Sequence, residues 1–586
     1  MATLPSVDAV LVGFGWTGGI IANELTKAGL SVVALERGEF RDTDPDFVAY
    51  SRYDELAYAI QYKLMQDTSK ETLTFRNDRS QTALPMRQLG SFLPGDGVGG
   101  AGVHWNGATW RFLPADLTIR SHYTQKYGAA IFGEDCTSAD WGVTYDELEP
   151  YFDRFEYLAG IAGKAGNLGG QRQPGGNPFE GPRRREYPNP PMIRSTIGET
   201  FAQAAQSLGY HPFPQPSANS TRRYTNPEGV TLGECIYCGY CERFGCETGA
   251  KASLQTTLWP AIAKRTNFEL RTHAKVLKVN LDSTGKKAVS VTYLDSHGRE
   301  QVQPGNMVFL TAYGLNNVHL LLLSKIGQPY DPATGTGVVG KNYAYQAGTN
   351  TQLFFERGKY FNAFMGAGSQ SMCIDDFNSD NFDHAGKDFV AGGLISASSS
   401  GLRPILYHPV PKGTPRWGAA WKKAVAHYYN RSFTIGSQAS VQAYRGNYLD
   451  LDPTYRDVYG QPLLRMTFDY GAHEHKAAAL IAQVQEKIAR ATGATSFTTN
   501  QLAAHYNIVP YQSTHNTGGA IMGSEPGKSV VNKYLQSWDV SNVFVTGASA
   551  FPQNAGYNPT GTIGALTYHA TDAILNRYVK NPGPLA

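Results

Sequence analysis

Cysteine is scarce in this chain: six in 586 residues, of which Cys136 and Cys373 stand alone. That excludes a disulfide-stapled scaffold. Excess charge is lacking too. Lys and Arg number 52 against 49 Asp and Glu, a formal net charge of +3, which gives no electrostatic reason for a nucleic-acid or acidic-membrane partner. No apolar run reaches the roughly 18 residues of a membrane-spanning helix. The opening MATLPSVDAVLVGFG lacks the basic and apolar regions of a signal peptide. Read alone, the chain is expected in the cytoplasm. It is 41% hydrophobic and 17% charged, a folded globular composition, and too long for one ordinary core.

What is present is concentrated. The other four cysteines, Cys235, Cys238, Cys241 and Cys246, fall in one stretch, ECIYCGYCERFGC. Disulfides at such short spacing have poor geometry. Structural zinc prefers two separated C-x2-C knuckles. A compact C-x2-C-x2-C run suits an iron–sulfur cluster, each thiolate reaching a different iron. The cluster is the leading reading; zinc and reduced structural thiols are the alternatives.

Residues 8–37, DAVLVGFGWTGGIIANELTKAGLSVVALER, read as strand, glycine turn, helix, strand and acid. This is a dinucleotide site. Gly13 permits the turn, Gly15 lets backbone approach a pyrophosphate, and Gly18 allows close helix–strand packing. Glu36 can accept hydrogen bonds from ribose hydroxyls. Residues 94–107, PGDGVGGAGVHWNG, are too glycine-rich for a strand or helix interior. They suit a loop laid flat against a large planar ligand, with Gly99, Gly100 and Gly107 in the loop and His104 and Asn106 at its edge.

With GFGWTGG, GDGVGGAGVHWNG, THNTGGAIMG at 514–523 and VTGASAFPQNAGYNPTGTIGALTYHATDAIL at 545–575, the chain resembles the glucose–methanol–choline (GMC) oxidoreductases from end to end. Within that family the cysteine loop, VVALERG, YKLMQ and WGVTY make it most similar to the flavoprotein subunits of bacterial membrane-bound gluconate 2-dehydrogenases, whose relatives oxidise fructose, sorbitol or glucose. The resemblance implies an α/β fold: a Rossmann-like FAD-binding domain assembled from both chain ends, plus a substrate domain with an antiparallel sheet. It implies FAD as cofactor, His515 as the catalytic base with Asn558 as its partner, and Gly547 and Ala548 beside the flavin. His104 matches the position at which some members attach FAD covalently. Relatives with a cluster carry a 3Fe–4S centre on three cysteines, which implies Cys241 and Cys246 as ligands here; whether the third is Cys235 or Cys238, or whether all four hold a 4Fe–4S centre, stays open. A small subunit carrying the export signal and a multihaem cytochrome c subunit are the implied partners, with a sugar acid or polyol as substrate. That would place the chain on the periplasmic side of the inner membrane, against the plain reading of its N-terminus.

The residues themselves support the catalytic assignment. Alcohol oxidation needs the hydroxyl proton removed as hydride leaves the carbon. A neutral imidazole suits the proton, and an amide can hold the same oxygen. His515 and Asn558 both sit in Gly-rich loops. His505 and His569 read as structural.

FAD-binding segments are expected at 1–125, 196–335 (with the cysteine loop at 235–246) and 501–586. A Gly/Pro-rich insertion is expected at 126–195, with Arg183, Arg184 and Arg185 in a solvated turn, and a roof domain at 336–500. Arg403, Arg416 and Arg431 in the roof are the basic residues considered for a substrate carboxylate. Two other functions compete: a soluble oxidase using dioxygen with structural cysteines, and a non-catalytic redox sensor.

Overall fold

Two short runs of β-branched and aliphatic residues form the central strands, β1 (Val7–Val12) and β2 (Val32–Leu35), both buried along most of their length. The structure is a computed structural model and describes residues 2–52, 61–88, 90–356, 358–398, 407–510 and 512–585. Helix α1 (Trp16–Lys27) joins the two strands, and nearly all its residues are buried. The strands pair in parallel, Ala9 beside Val32 and Val12 beside Leu35, which is the geometry a right-handed β–α–β crossover produces.

Tyr145–Ala159 forms α2, opened by a capping box between Thr144 and Glu147. The sheet is completed by β3 (Phe268–Arg271), β4 (Lys275–Leu281), β5 (Ala288–Leu294) and β6 (Glu300–Leu310). Its order is β3-β2-β1-β6-β5-β4. The long β6 serves two neighbourhoods. Its first half pairs antiparallel with β5, and its second half pairs in parallel with β1.

Four further strands, β7 (Asn350–Phe354), β8 (Ser371–Ile374), β9 (Gly393–Ser398) and β10 (Ser432–Ala439), build a second sheet. Helix α3 (Ala472–Ala491) packs on it, and β11 (Ser496–Asn500) closes one edge. All pairings in this six-stranded sheet are antiparallel. The other edge is the short strand Phe213–Pro214, so the roof borrows a strand from outside 336–500.

The C-terminal segment returns to the first sheet. Strand β12 (Val543–Val545) lies parallel to β6, Val308 beside Val543. Helix α4 (Thr560–Ala573) then packs against α1 and α2. The α/β fold expected from the sequence, with a nucleotide-type sheet drawn from both chain ends and an antiparallel substrate sheet, is present.

Two local readings are corrected. The glycine-rich loop contains one helical turn, Ala101–His104; Gly102 lies so close to Trp16 that a Cβ there would sit 2.4 Å from the indole nitrogen, and that contact seats the turn. Arg183 is not in a solvated turn. It is 1% exposed and donates to Glu156 at 2.5 Å, while Arg111 pairs with the same carboxylate at 2.8 Å. These buried ion pairs lock the Gly/Pro-rich segment onto α2. Arg184 and Arg185 are exposed and pair with Glu149 and Asp153.

Candidate active site and cysteine loop

The turn after β1 shows why glycine is needed there. Gly13 has φ +96°, and a Cβ on it would sit 2.7 Å from Ala312 Cα. Gly18 lies on the first turn of α1, where a Cβ would meet the Gly13 carbonyl oxygen at 2.7 Å. Glu36, at the end of β2, accepts from the Phe14 and Gly38 amides at 2.9 and 3.0 Å, so the acid also shapes the turn.

A cavity of about 430 Å³ opens from this turn, within the roughly 300–1,000 Å³ of small-molecule clefts. Its walls include Gly13, Gly15, Glu36, Gly99, Gly100, His104 and Asn106, together with His515, Gly547, Ala548 and Asn558. Gly18 packs behind the turn, and Gly107 packs against Asn219; neither is among the lining residues. Arg37 and Lys275 also line the cavity, both paired with Glu71. Gln438, Gln512, Ser513 and Thr514 are uncharged polar groups in the wall. Arg431 is held by Tyr360 and the His427 carbonyl and Arg416 is exposed, so neither reaches the cavity; Arg403 lies outside the described residues.

His515 and Asn558 meet. Asn558 Nδ2 lies 3.0 Å from His515 Nε2. On the other side of the ring, His515 Nδ1 contacts Gln346 Oε1, and behind the amide Trp110 Nε1 donates to Asn558 Oδ1 at 3.1 Å. Burial holds the His515 pKa down to about 3, so the imidazole is neutral. His505, by contrast, is exposed and paired with Asp469, and His569 stacks on Tyr534. His104 is also buried, its pKa pushed down to about 3 by burial and by the Lys251 charge. Its Nε2 finds no hydrogen-bond partner among the described residues.

The cysteine loop abuts this cavity. Tyr237 and Arg243 take left-handed backbone, φ 55° and 69°, as does Gly239 at φ 82°, which coils the loop on itself. All six cysteines are free thiols. Cys235 feels Cys238, Cys241 and Cys246 electrostatically, and burial, with lesser contributions from these neighbours, pushes its thiol pKa up. Burial likewise raises Cys241 to about 12. Cys246 Sγ accepts from the Lys251 amide at 3.3 Å. Among the described residues no group of three or more His, Cys, Asp or Glu is arranged round a single metal ion.

Three contacts tie this loop to the glycine-rich one. The Arg243 amide donates to the His104 carbonyl at 2.7 Å. Gly368 fills the space between Asn106 and Cys241; a Cβ there would lie 2.7 Å from the Asn106 oxygen and 2.8 Å from Cys241 Cβ. Lys251, 1% exposed, donates through Nζ to the carbonyls of Trp105, Cys241 and Phe244 at 2.6, 2.6 and 2.8 Å. Three acceptors match the three hydrogens of an ammonium group; a neutral amine has two.

Comparison with known proteins agrees with this geometry. The GMC oxidoreductase family models match residues 140–347 and 443–567. The chain is 50% identical over 99% of its length to the gluconate 2-dehydrogenase flavoprotein of Pantoea cypripedii, covering 95% of that protein.

The chain belongs to the GMC oxidoreductase family.

The fructose dehydrogenase large subunit of Gluconobacter japonicus is a more distant relative, 27% identical over 97% of this chain and 98% of its own. The pyridoxine 4-oxidase structure from Mesorbium loti superposes with TM-score 0.61 at 16% identity, covering 98% of this chain and all of its own; it establishes the GMC fold alone. As a GMC oxidoreductase the chain is an FAD-dependent dehydrogenase acting on CH–OH donors. Its residues fit that cofactor: a glycine-lined cleft, a helix N-terminus at one end, and an unpartnered buried imidazole nitrogen on the wall.

Trp110, Gln346, Lys251 and Asn219 were missed from sequence. Trp110 had one usable signal: it follows the glycine-rich loop by only three residues. Gln346 and Lys251 had none, because each acts on a residue far away in the chain.

Proposed function

We propose that this protein oxidises the C2 hydroxyl of D-gluconate to 2-keto-D-gluconate. His515 Nε2 takes the hydroxyl proton, and Asn558 Nδ2–H donates to the same oxygen. Both residues line the cavity and the two nitrogens lie 3.0 Å apart, so one substrate oxygen beside them is within reach of both. When bound, FAD supplies the hydride acceptor. Gly13, Gly15, Glu36, Gly99, Gly100, Asn106, Gly547 and Ala548 would hold it, with Gly18 and Gly107 backing the wall without lining it and His104 Nε2 free for a covalent link to the ring system.

Cys235, Cys238, Cys241 and Cys246 would hold an iron–sulfur cluster, 3Fe–4S or 4Fe–4S, which supplies one-electron transfer. The three carbonyls gathered round Lys251 Nζ support this, since they suit an ammonium group beside the thiols; burial lowers the Lys251 pKa, and Cys241, Cys246 and Cys238 act against that shift. By the same reading the electrons leave for a multihaem cytochrome c subunit and membrane quinone, and a small subunit carries the export signal to the periplasm. Among the described residues no helix is long and apolar enough to cross a membrane, so attachment would be peripheral.

The observation that carries the proposal is one cavity with the His515–Asn558 pair on its wall and the cysteine loop packed against its glycine-rich side. The uncharged polar groups near His515 suit sugar hydroxyls in general, which keeps fructose, sorbitol, glucose and 2-ketogluconate as second readings. A dye-linked assay across these substrates, on protein co-expressed with its small subunit, decides among them. Anaerobic substrate should bleach the flavin and then change the cluster's EPR signal. Purified protein that is yellow but free of iron would overturn the electron route and leave the oxidation intact.

A further inference from the structure

Asn558 is an amide whose two ends look alike in shape but not in chemistry. One end faces Trp110 Nε1 at 3.1 Å, the other His515 Nε2 at 3.0 Å. An indole nitrogen only donates. The end facing it must therefore be Oδ1, which leaves Nδ2–H for the imidazole. His515 Nε2 must then accept, so in the neutral ring the proton sits on Nδ1, and Gln346 must present its oxygen there. One indole N–H fixes the orientation of every group in the row.

Trp110 is itself tightly held. It is 4% exposed and stacks on Tyr557 with ring centroids 4.5 Å apart and planes 5° from parallel. The Tyr557 hydroxyl donates to the buried Asp375 carboxylate, which also accepts from Asn177 at 2.5 Å. Phe213 closes the edge of the indole at 6.1 Å.

We infer that Trp110 is a positioning residue that sets the protonation pattern of the catalytic pair by orienting the Asn558 amide. The inference rests on His515 being the base. With Nε2 unprotonated, the ring accepts the substrate proton once the substrate hydroxyl takes the place of the Asn558 N–H at that nitrogen; with the amide reversed, Asn558 Oδ1 would call for a proton on Nε2 and block it.

The test is a double-mutant cycle on the rate of flavin reduction in the holoenzyme, using Trp110→Phe and Asn558→Ala. Phenylalanine keeps a ring against Tyr557 and removes the N–H. Trp110→Phe should slow flavin reduction roughly tenfold or more, short of the 10²–10⁴-fold that a general base supplies, with KM nearly unchanged. In the Asn558→Ala background the same change should have no further effect. Equal losses in both backgrounds would overturn the inference, since a purely structural Trp110 acts regardless of Asn558. A second measurement does not depend on the variant folding: nitrogen-15 shifts of His515 in the wild-type protein should report the Nδ1–H tautomer, and an Nε2–H tautomer would overturn it. If His515→Ala keeps full activity, the reading of the base fails instead, and the two failures are distinguishable.

Discussion

Lys251 Nζ lies 2.6 Å from the carbonyl oxygen of Trp105 and 2.6 Å from that of Cys241. One side chain therefore grips the glycine-rich loop and the cysteine loop together. A buried positive charge favours the more negative state of whatever the thiols bind. If the four cysteines hold the proposed iron–sulfur cluster, Lys251→Met should lower its reduction potential, measured by EPR-monitored redox titration, while substrate still bleaches the flavin. Lys251→Arg should restore part of it. A cluster with unchanged potential in Lys251→Met would contradict the role given to the charge.

His515 predicts an unusual pH profile. An ordinary histidine protonates near pH 6.5, but burial holds this one at about 3. On the proposal that His515 is the base, it stays unprotonated as pH falls through 6.5, and flavin reduction should show no acid limb there. Stability moves the other way. Below about pH 6.5 the unfolded chain binds a proton at this residue and the folded one does not, which costs about 1.4 kcal/mol per pH unit down to the folded pKa. His515→Gln removes that cost, so Tm of the variant should gain on wild type as pH drops from 6.5 toward 3.

Gln346→Glu should change the profile in a defined direction. A carboxylate against Nδ1–H favours the imidazolium and raises the His515 pKa. Activity should then be lost at a higher pH than in wild type, visible as an acid limb displaced toward neutrality. Gln346→Leu should leave the limb where it is and slow the reaction by freeing the ring.

Arg183→Met tests the buried ion pairs on α2. Glu156 would keep Arg111 but lose one of its two cations. Breaking a buried pair costs about 3–5 kcal/mol, and the retained Arg111 contact places the expected loss near the lower end. Denaturant unfolding of the holoprotein measures it, and activity at low temperature should survive.

The strand–turn–helix at 8–37 was legible because Gly13 and Gly18 are demanded by local geometry that a short window contains. The meeting of His515 with Asn558 was legible only through the resemblance, as the two lie in separate loops. Trp110 offered only its place just after the glycine-rich loop, and Gln346 and Lys251 offered nothing: a glutamine or lysine carries no mark of the hydrogen bond it makes, and the His515 ring and the Trp105 carbonyl are distant in sequence. Arg183 misled for a related reason, since a charged run reads as solvated until the carboxylates that bury it are in place. The helical turn at 101–104 was hidden by its glycines, whose cost is met by packing against Trp16.

The strand Glu300–Leu310 has neighbours in β1 and β12, drawn from opposite ends of the polypeptide. A ribosome releases the second of these long after the first, so a nascent fragment that stops short of Val543 lacks Gly547, Ala548 and Asn558 from the wall of the cleft. The complete cofactor cleft therefore forms only once β12 has joined the sheet.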